Sequence, residues 1–350
     1  MRVVVTGASG NVGTSVLRAL AADERVDEIV GIARRFPRWE NPRTRWERAD
    51  VVTSALEPLF EGADAVIHLA WLIQPSHDAE ALRAVNVDGS RRVFEAALRA
   101  GVDVLVHASS VGVYSPGPTD RRVDESWPNG GVPSSFYSRH KAEVERLLDE
   151  LESRIRIVRL RPGLVFKREA AAEIRRLFIG PLLPSPLVQP RLIGVLPWPS
   201  GLALQAVHAD DVGEAYRLAA TSPAARGAYN IAADPVLDAR ELGRLLGARP
   251  LAVPPRAVRA LAHATWRARL QPTPPGWLDM GLDVPLMDSA RAREELGWQP
   301  RHSAADALLE LLDGLRRSVG FDTPPLAARA GGRFRVRELP AGSPRAPAGQ

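Results

Sequence analysis

The 350-residue sequence has no cysteine, which excludes disulfides and thiolate metal sites. It has no apolar run near the ~18 residues that a bilayer-spanning helix needs, so no membrane segment is expected. Aromatic residues are only 6% and are not interleaved with basic ones in a stripe, which speaks against a nucleic-acid partner. The net charge of +5 is modest, and arginine supplies nearly all of the positive side chains. No internal repeat is present. No secretory leader is expected, because Val3 opens a strand that leads straight into Gly7. What remains, 45% hydrophobic and 25% charged, is the composition of a water-soluble globular protein, expected in the cytoplasm with a small-molecule substrate. The length allows one large α/β domain and a smaller one.

Arg2-Val3-Val4-Val5 is a short β-branched run suited to a strand buried on both faces. Thr6-Gly7-Ala8-Ser9-Gly10-Asn11-Val12-Gly13 follows, and then a helical pattern through Val16, Leu17 and Leu20. Strand, glycine-rich turn and helix is the context of a dinucleotide-binding fingerprint. Gly7 permits the tight turn, Gly10 lets a pyrophosphate reach the backbone, and Gly13 lets helix and strand pack closely. The helix N-terminus offers N–H groups and a partial positive charge to phosphates. Ser9, Asn11 and Val12 complete the expected cofactor-binding turn.

Apolar runs then alternate with helical patterns. Strands are expected at 28–33, 65–69, 104–108 and 155–160, with helices over 78–100 and 134–152 between them. This predicts a Rossmann-type, doubly wound parallel sheet, with ligands at the carboxyl ends of its strands. After Pro162 the alternation stops. Residues 1–162 read as the dinucleotide-binding core, with later segments contributing, and 163–322 as a smaller mixed substrate-binding region. Residues 323–350, rich in Pro, Ala, Gly and Arg, read as a disordered tail. Helices are expected near 211–220, 238–246, 258–270, 289–296 and 304–317.

Tyr137 and Lys141 are four residues apart in a predicted helix, so phenol and ammonium share one face. A free phenol titrates near ~10, too high for easy proton exchange at neutral pH, and a nearby ammonium should lower it. The same spacing also occurs on solvated helix faces; the glycine-rich turn upstream gives it meaning here.

With glycines spaced three and three and Tyr-x-x-x-Lys downstream, the chain resembles the extended short-chain dehydrogenase/reductases, the NAD-dependent epimerase/dehydratase family, over roughly residues 1–318. His107-Ala108-Ser109-Ser110-Val111-Gly112-Val113-Tyr114 looks like that family's Ser-Ser-x-x-Val-Tyr motif. The resemblance implies Ser110 as the catalytic hydroxyl, with Ser109 reduced to capping a turn. It implies Tyr137 as proton donor or acceptor and Lys141 as the group that tunes it and bonds the nicotinamide ribose. Asp50, with Val51, would meet the adenine; Leu69 and Ala70 would skirt the cofactor; Asn86 would support it; and Pro162 would pass near the nicotinamide by its backbone. Asp50 also reads as a helix or turn cap, and Asp210, in Val207-His208-Ala209-Asp210-Asp211, reads as a helix N-cap. His68 suggests no metal, since it lacks partners at ligand spacing. Dimerisation through the helices before strands five and six is implied by the same likeness.

NAD enzymes place an acid at the end of the second strand to hold the ribose 2′-hydroxyl. Here Ala33-Arg34-Arg35 stands there, and an arginine pair suits a 2′-phosphate, so NADP(H) is favoured over NAD(H). Val111 and Gly112 stand where sugar-nucleotide dehydratases carry acids, which argues against dehydration. The expected activity is hydride transfer to or from a carbonyl or secondary alcohol, and the apolar stretch from Phe178 to Trp198 would suit a greasy substrate or form a lid. Two alternatives stand beside it. One is a nucleotide-sugar epimerase with retained NAD, in which Arg175, Arg176 and Arg191 serve a diphosphate. The other is a non-catalytic NADP-binding sensor, which would have no need to keep Ser110, Tyr137 and Lys141 together.

Overall fold

Val3 and Val5 turn to one face of the first strand and Val4 to the other, and all three are fully buried. That period of two, with both faces covered, is the signature of a strand inside a helix-sandwiched sheet. In the computed structural model, which describes residues 1–74, 76–179 and 194–328, the strands are as follows. They are β1 (Arg2–Thr6), β2 (Glu28–Ala33), β3 (Thr44–Arg48), β4 (Ala65–His68), β5 (Val104–Ala108), β6 (Arg122–Val123) and β7 (Arg156–Pro162). After them come β8 (Leu164–Phe166), β9 (Val195–Pro199), β10 (Leu204–His208), β11 (Gly227–Ile231), β12 (Ala233–Leu237), β13 (Arg249–Val253) and β14 (Leu286–Met287).

Seven of these form a parallel sheet in the order β11-β7-β5-β4-β1-β2-β3. The fold is therefore Rossmann-like, and its order reverses between β1 and β4. A crevice opens beyond the strand ends at such a switch point. The helices Asn11–Ala21 and Ala209–Thr221 cover one face of the sheet, while Gly89–Arg99 and Phe136–Asp149 cover the other. A small mixed sheet, β12-β10-β8, stands beside it, with two strand pairs, β13-β9 and β14-β6.

Three differences from the sequence reading have physical causes. The seventh strand, β11, comes from well past Pro162 and closes the sheet's edge beside β7. Its partner lies some seventy positions earlier, so no local pattern announces it. The helix expected over 78–100 runs unbroken from Ala79 to Arg99 but takes a π-helical turn at Ala84–Asp88. The start of the expected tail is packed, with Thr323 and Leu326 buried. Residues beyond 328, with most of the proline-rich stretch 179–200 and Arg191, lie outside the described residues. No helix among the described residues is long and apolar enough to cross a membrane.

Candidate active site

The turn after β1 is built for close approach. Gly7 has φ +70°, and a Cβ there would stand 2.7 Å from the Ala70 backbone nitrogen. A Cβ on Gly13 would fall 2.4 Å from the Gly7 carbonyl, so the helix can begin against the turn only because both positions are glycine. Gly10 is the N-cap residue of Asn11–Ala21 and offers no side chain to bond the first N–H groups. Those donors, with the helix dipole behind them, suit a pyrophosphate. The Asn11 carboxamide donates to the Val165 carbonyl at 3.1 Å, while its oxygen is buried with no partner.

A cavity of about 910 Å³ runs over these strand ends. Gly7, Ser9, Gly10, Asn11, Val12 and Gly13 line it from the first turn, and Arg34 and Arg35 from the end of β2. Asp50 and Val51 line it after β3, Leu69 and Ala70 after β4, and Pro162 at the end of β7. Asp50 also caps its own turn: its carboxylate accepts from the Val52 N–H at 2.9 Å. Asn86 is not on the cavity wall. It is fully buried and clamps Leu72, accepting from the Leu72 N–H at 2.7 Å and donating to the Leu72 carbonyl at 2.8 Å. Any effect on a cofactor would pass through that loop. His68 is buried between Thr6 Oγ1 at 2.7 Å and Ser90 Oγ at 2.9 Å, and burial pushes its pKa down to about 3, so it stays neutral.

Ser110, Tyr137 and Lys141 meet on the same wall. Ser135 caps the Phe136–Asp149 helix, which puts Tyr137 in the first turn and Lys141 one turn on. Ser138 ties that turn to the loop after β5. Its hydroxyl donates to the Gly112 carbonyl and accepts from the Val132 N–H. The Tyr137 ring packs over Gly112, where a Cβ would lie 3.1 Å from Cε1 of the ring.

The electrostatics differ from the sequence expectation. Burial pushes the Tyr137 phenol up to about 12, and its hydrogen bond with Ser110 only partly opposes this. The Lys141 ammonium does not acidify it. Nζ donates to the Ala108 carbonyl at 2.6 Å and lies 3.3 Å from the centroid of the Trp71 ring, a cation–π contact. Burial in turn holds Lys141 well below its ordinary value, with Glu145 pulling the other way.

Several neighbours of this group carry no sequence signal. Trp71 and Trp277 flank Tyr137, with ring centroids 5.9 and 4.7 Å away. Behind Ser109 lies a buried ion pair: Glu145 accepts from Arg161 through both oxygens, at 3.0 and 2.5 Å, and also from Asn129 and Ser109. Burial raises the Glu145 carboxyl, but these donors together hold it below its usual range. Ser109 thus braces the strand end through Glu145 rather than capping a turn. The N-cap of Ala209–Thr221 is His208, not Asp210. Asp210 accepts from Ser15, and Asp211 accepts from the Arg301 and His302 N–H groups, so both acids are structural.

The two lysines of the chain are Lys141 and Lys167. Lys167 is buried beneath the cradle and donates to the Asn11 carbonyl at 2.8 Å, Thr14 Oγ1 at 2.6 Å and Ser15 Oγ at 3.0 Å. It pins the first turn of the N-terminal helix to the segment after β8. Arg175 and Arg176, the described members of the arginine set expected for a diphosphate, do not line the cavity. Arg175 is buried, and Arg176 donates to the Pro325 and Ala327 carbonyls. No group of three potential metal ligands occurs among the described residues.

Residues 3–232 match the NAD dependent epimerase/dehydratase family. An uncharacterized protein of Mycobacterium tuberculosis is 27% identical over 323 residues, which is 92% of this chain but 31% of that protein. The chain thus spans about a third of the length of the curated relatives it matches first. An L-arabinose 1-dehydrogenase (NAD(P)(+)) of Haloferax volcanii is 38% identical over 119 residues, 32% of this chain and 42% of the enzyme. Among solved structures, the UDP-glucose 4-epimerase of Thermus thermophilus in complex with NAD shares the fold. Its TM-score is 0.65 at 24% identity, covering 91% of this chain and 100% of that one.

Proposed function

Because the chain belongs to the NAD dependent epimerase/dehydratase family, we propose that it is an NAD(P)-dependent oxidoreductase acting on a carbonyl or secondary alcohol. The observation that carries this reading is the meeting of Ser110 and Tyr137 on the wall of the cavity that also holds the glycine cradle. Dinucleotide bound there supplies or accepts hydride at its nicotinamide. The chain's own residues do the rest. The Ser110 hydroxyl donates to the substrate oxygen, where negative charge grows during reduction. Tyr137, protonated at neutral pH, gives that oxygen its proton. Trp71, Trp277 and Met280 keep water from the reacting atoms. Lys141, on the same wall, would turn from Trp71 to a ribose hydroxyl. Tyr137→Phe should cut kcat by about 10²–10⁴ and leave the cofactor Kd unchanged. Turnover at the parental rate would refute the assignment.

For the cofactor, the exposed Arg34 and Arg35 after β2, with no acid at that strand's end, support NADP(H) over NAD(H). Replacing both arginines with alanine should raise KM for NADPH about tenfold or more and leave KM for NADH nearly unchanged. A parent enzyme that prefers NADH would reverse this choice. Purification with tightly held oxidised cofactor would instead favour an epimerase.

A further inference from the structure

The far arm of the cavity, beyond Tyr137, is walled by Phe178, Leu202, Leu204, Trp277, Met280 and Val284. Apart from the Trp277 indole N–H, the polar side chains near this arm are already spent on the protein. Gln205 bonds the Met287 backbone with both ends, donating to its carbonyl at 2.9 Å and accepting from its N–H at 2.6 Å. Gln74 donates to the Leu177 and Pro272 carbonyls at 3.0 and 2.9 Å and accepts from the Ser76 N–H at 2.7 Å. The charged residues on the whole described wall are Arg34, Arg35, Asp50, Lys141 and Glu173. The first three stand at the ends of β2 and β3, the Lys141 ammonium is committed to Ala108 and Trp71, and Glu173 is an acid. Among the described residues of this arm no charged group can neutralise a diphosphate, and single indole N–H donors cannot satisfy a ring of hydroxyls. A sugar nucleotide placed there would leave its polar groups desolvated and largely unpaired. A hydrocarbon ring would lose nothing and would bury its own surface.

We propose that the substrate is an uncharged, largely hydrocarbon ring ketone or its secondary alcohol, whose single oxygen meets Ser110 and Tyr137 while the ring lies between Trp277 and the leucines. The proposal rests on the hydride-transfer reading above. The indole N–H groups of Trp71 and Trp277, buried without partners, are donors only and tolerate a further neutral oxygen, not a cation.

The test is calorimetric titration of the cofactor-loaded protein with cyclohexanone, 1-tetralone and 2-decalone, with UDP-glucose as the polar competitor, followed by rates with the same ketones. Affinity should rise about three- to fivefold for each added methylene, and millimolar UDP-glucose should neither bind nor compete. Leu202→Ala and Trp277→Ala should each weaken the larger ketones tenfold or so and leave cofactor affinity alone. An affinity series flat in ring size, or micromolar binding of UDP-glucose, overturns the proposal. The two readings fail separately. If UDP-glucose is the ligand and Tyr137→Phe is still inactive, the substrate class is wrong and the chemistry stands. If the ketones bind as expected and Tyr137→Phe reduces them as fast as the parent, the chemistry is wrong.

Discussion

In the proposed reaction Tyr137 serves as the proton donor. With its phenol pushed up to about 12 by burial, it is protonated throughout the neutral range. In reduction the required form is the phenol, so the rate should be flat between about pH 6 and 9. In oxidation the required form is the phenolate, whose fraction grows tenfold per pH unit below the pKa. The oxidation rate should therefore climb steadily past pH 9. Measuring kcat in both directions against pH checks this, and a plateau in oxidation near pH 7 would show that bound cofactor brings Lys141 back to the phenol. The placement of Tyr137 and Lys141 could be read from a four-residue spacing, because helix geometry fixes it. Their proton affinities could not, since those are set by how deeply the fold buries both groups, with Trp71 packed on Lys141 from seventy positions away. The Glu145–Arg161 pair was equally hidden. Both residues are within a few per cent of full burial, so each would be costly there without the other, yet no spacing rule joins a helix residue to a strand residue.

At the level of elements, the N-terminal helix presents its free N–H groups to the cavity, and the short Ala171–Ile174 helix brings Glu173 to the same cavity. Burial raises the Glu173 carboxyl to about 7, opposed by Arg176, Lys167 and the Asn11 backbone N–H. Lys167 is itself lowered to about 8 by burial and so remains mostly charged at neutral pH. The sign follows directly. Below about pH 7 Glu173 is neutral; above it a carboxylate faces the cradle and competes with a pyrophosphate for the same donors. Cofactor affinity should fall severalfold from pH 6 to pH 8, and Glu173→Gln should bind more tightly at pH 8 and lose most of this dependence. Fluorescence titration at the two pH values decides it; a Glu173→Gln protein with the parental slope would place the titrating group elsewhere. The cradle helix was legible because strand, turn and helix are consecutive in sequence. Glu173 was not, because its relation to Asn11 exists only after β8 and the cradle come together through Lys167.

For the whole molecule, one core unites parts of the chain that the sequence reading assigned to different regions. Val3, Val16 and Val106 share a buried cluster with Val212, Tyr229, Trp298 and Ala304. The βα alternation up to Pro162 was readable because each crossover follows its strand directly. The later strands were not, being two to five residues long and paired with distant partners. The consequence is cooperative. A fragment ending at Pro162 would expose the β7 edge and the face that Ala209–Thr221 covers, with Val212, Ala215 and Tyr216 missing from its core. Trp298 tests the same dependence within the intact chain. It is fully buried, and its indole N–H donates to the Asp211 carbonyl at 2.8 Å, on the helix that packs beneath the sheet. Trp298→Ala removes both the packing and that bond and should cost about 3–5 kcal/mol. Because Asp211 also holds the backbone of residues 301 and 302, the loss should appear as one lowered transition for the whole chain rather than a separate early melt of the C-terminal part. Urea unfolding followed by far-ultraviolet circular dichroism, with cofactor binding measured in parallel, distinguishes the two. A cradle that still binds dinucleotide after the residues beyond 290 have melted would mean that the fold before that point stands without them.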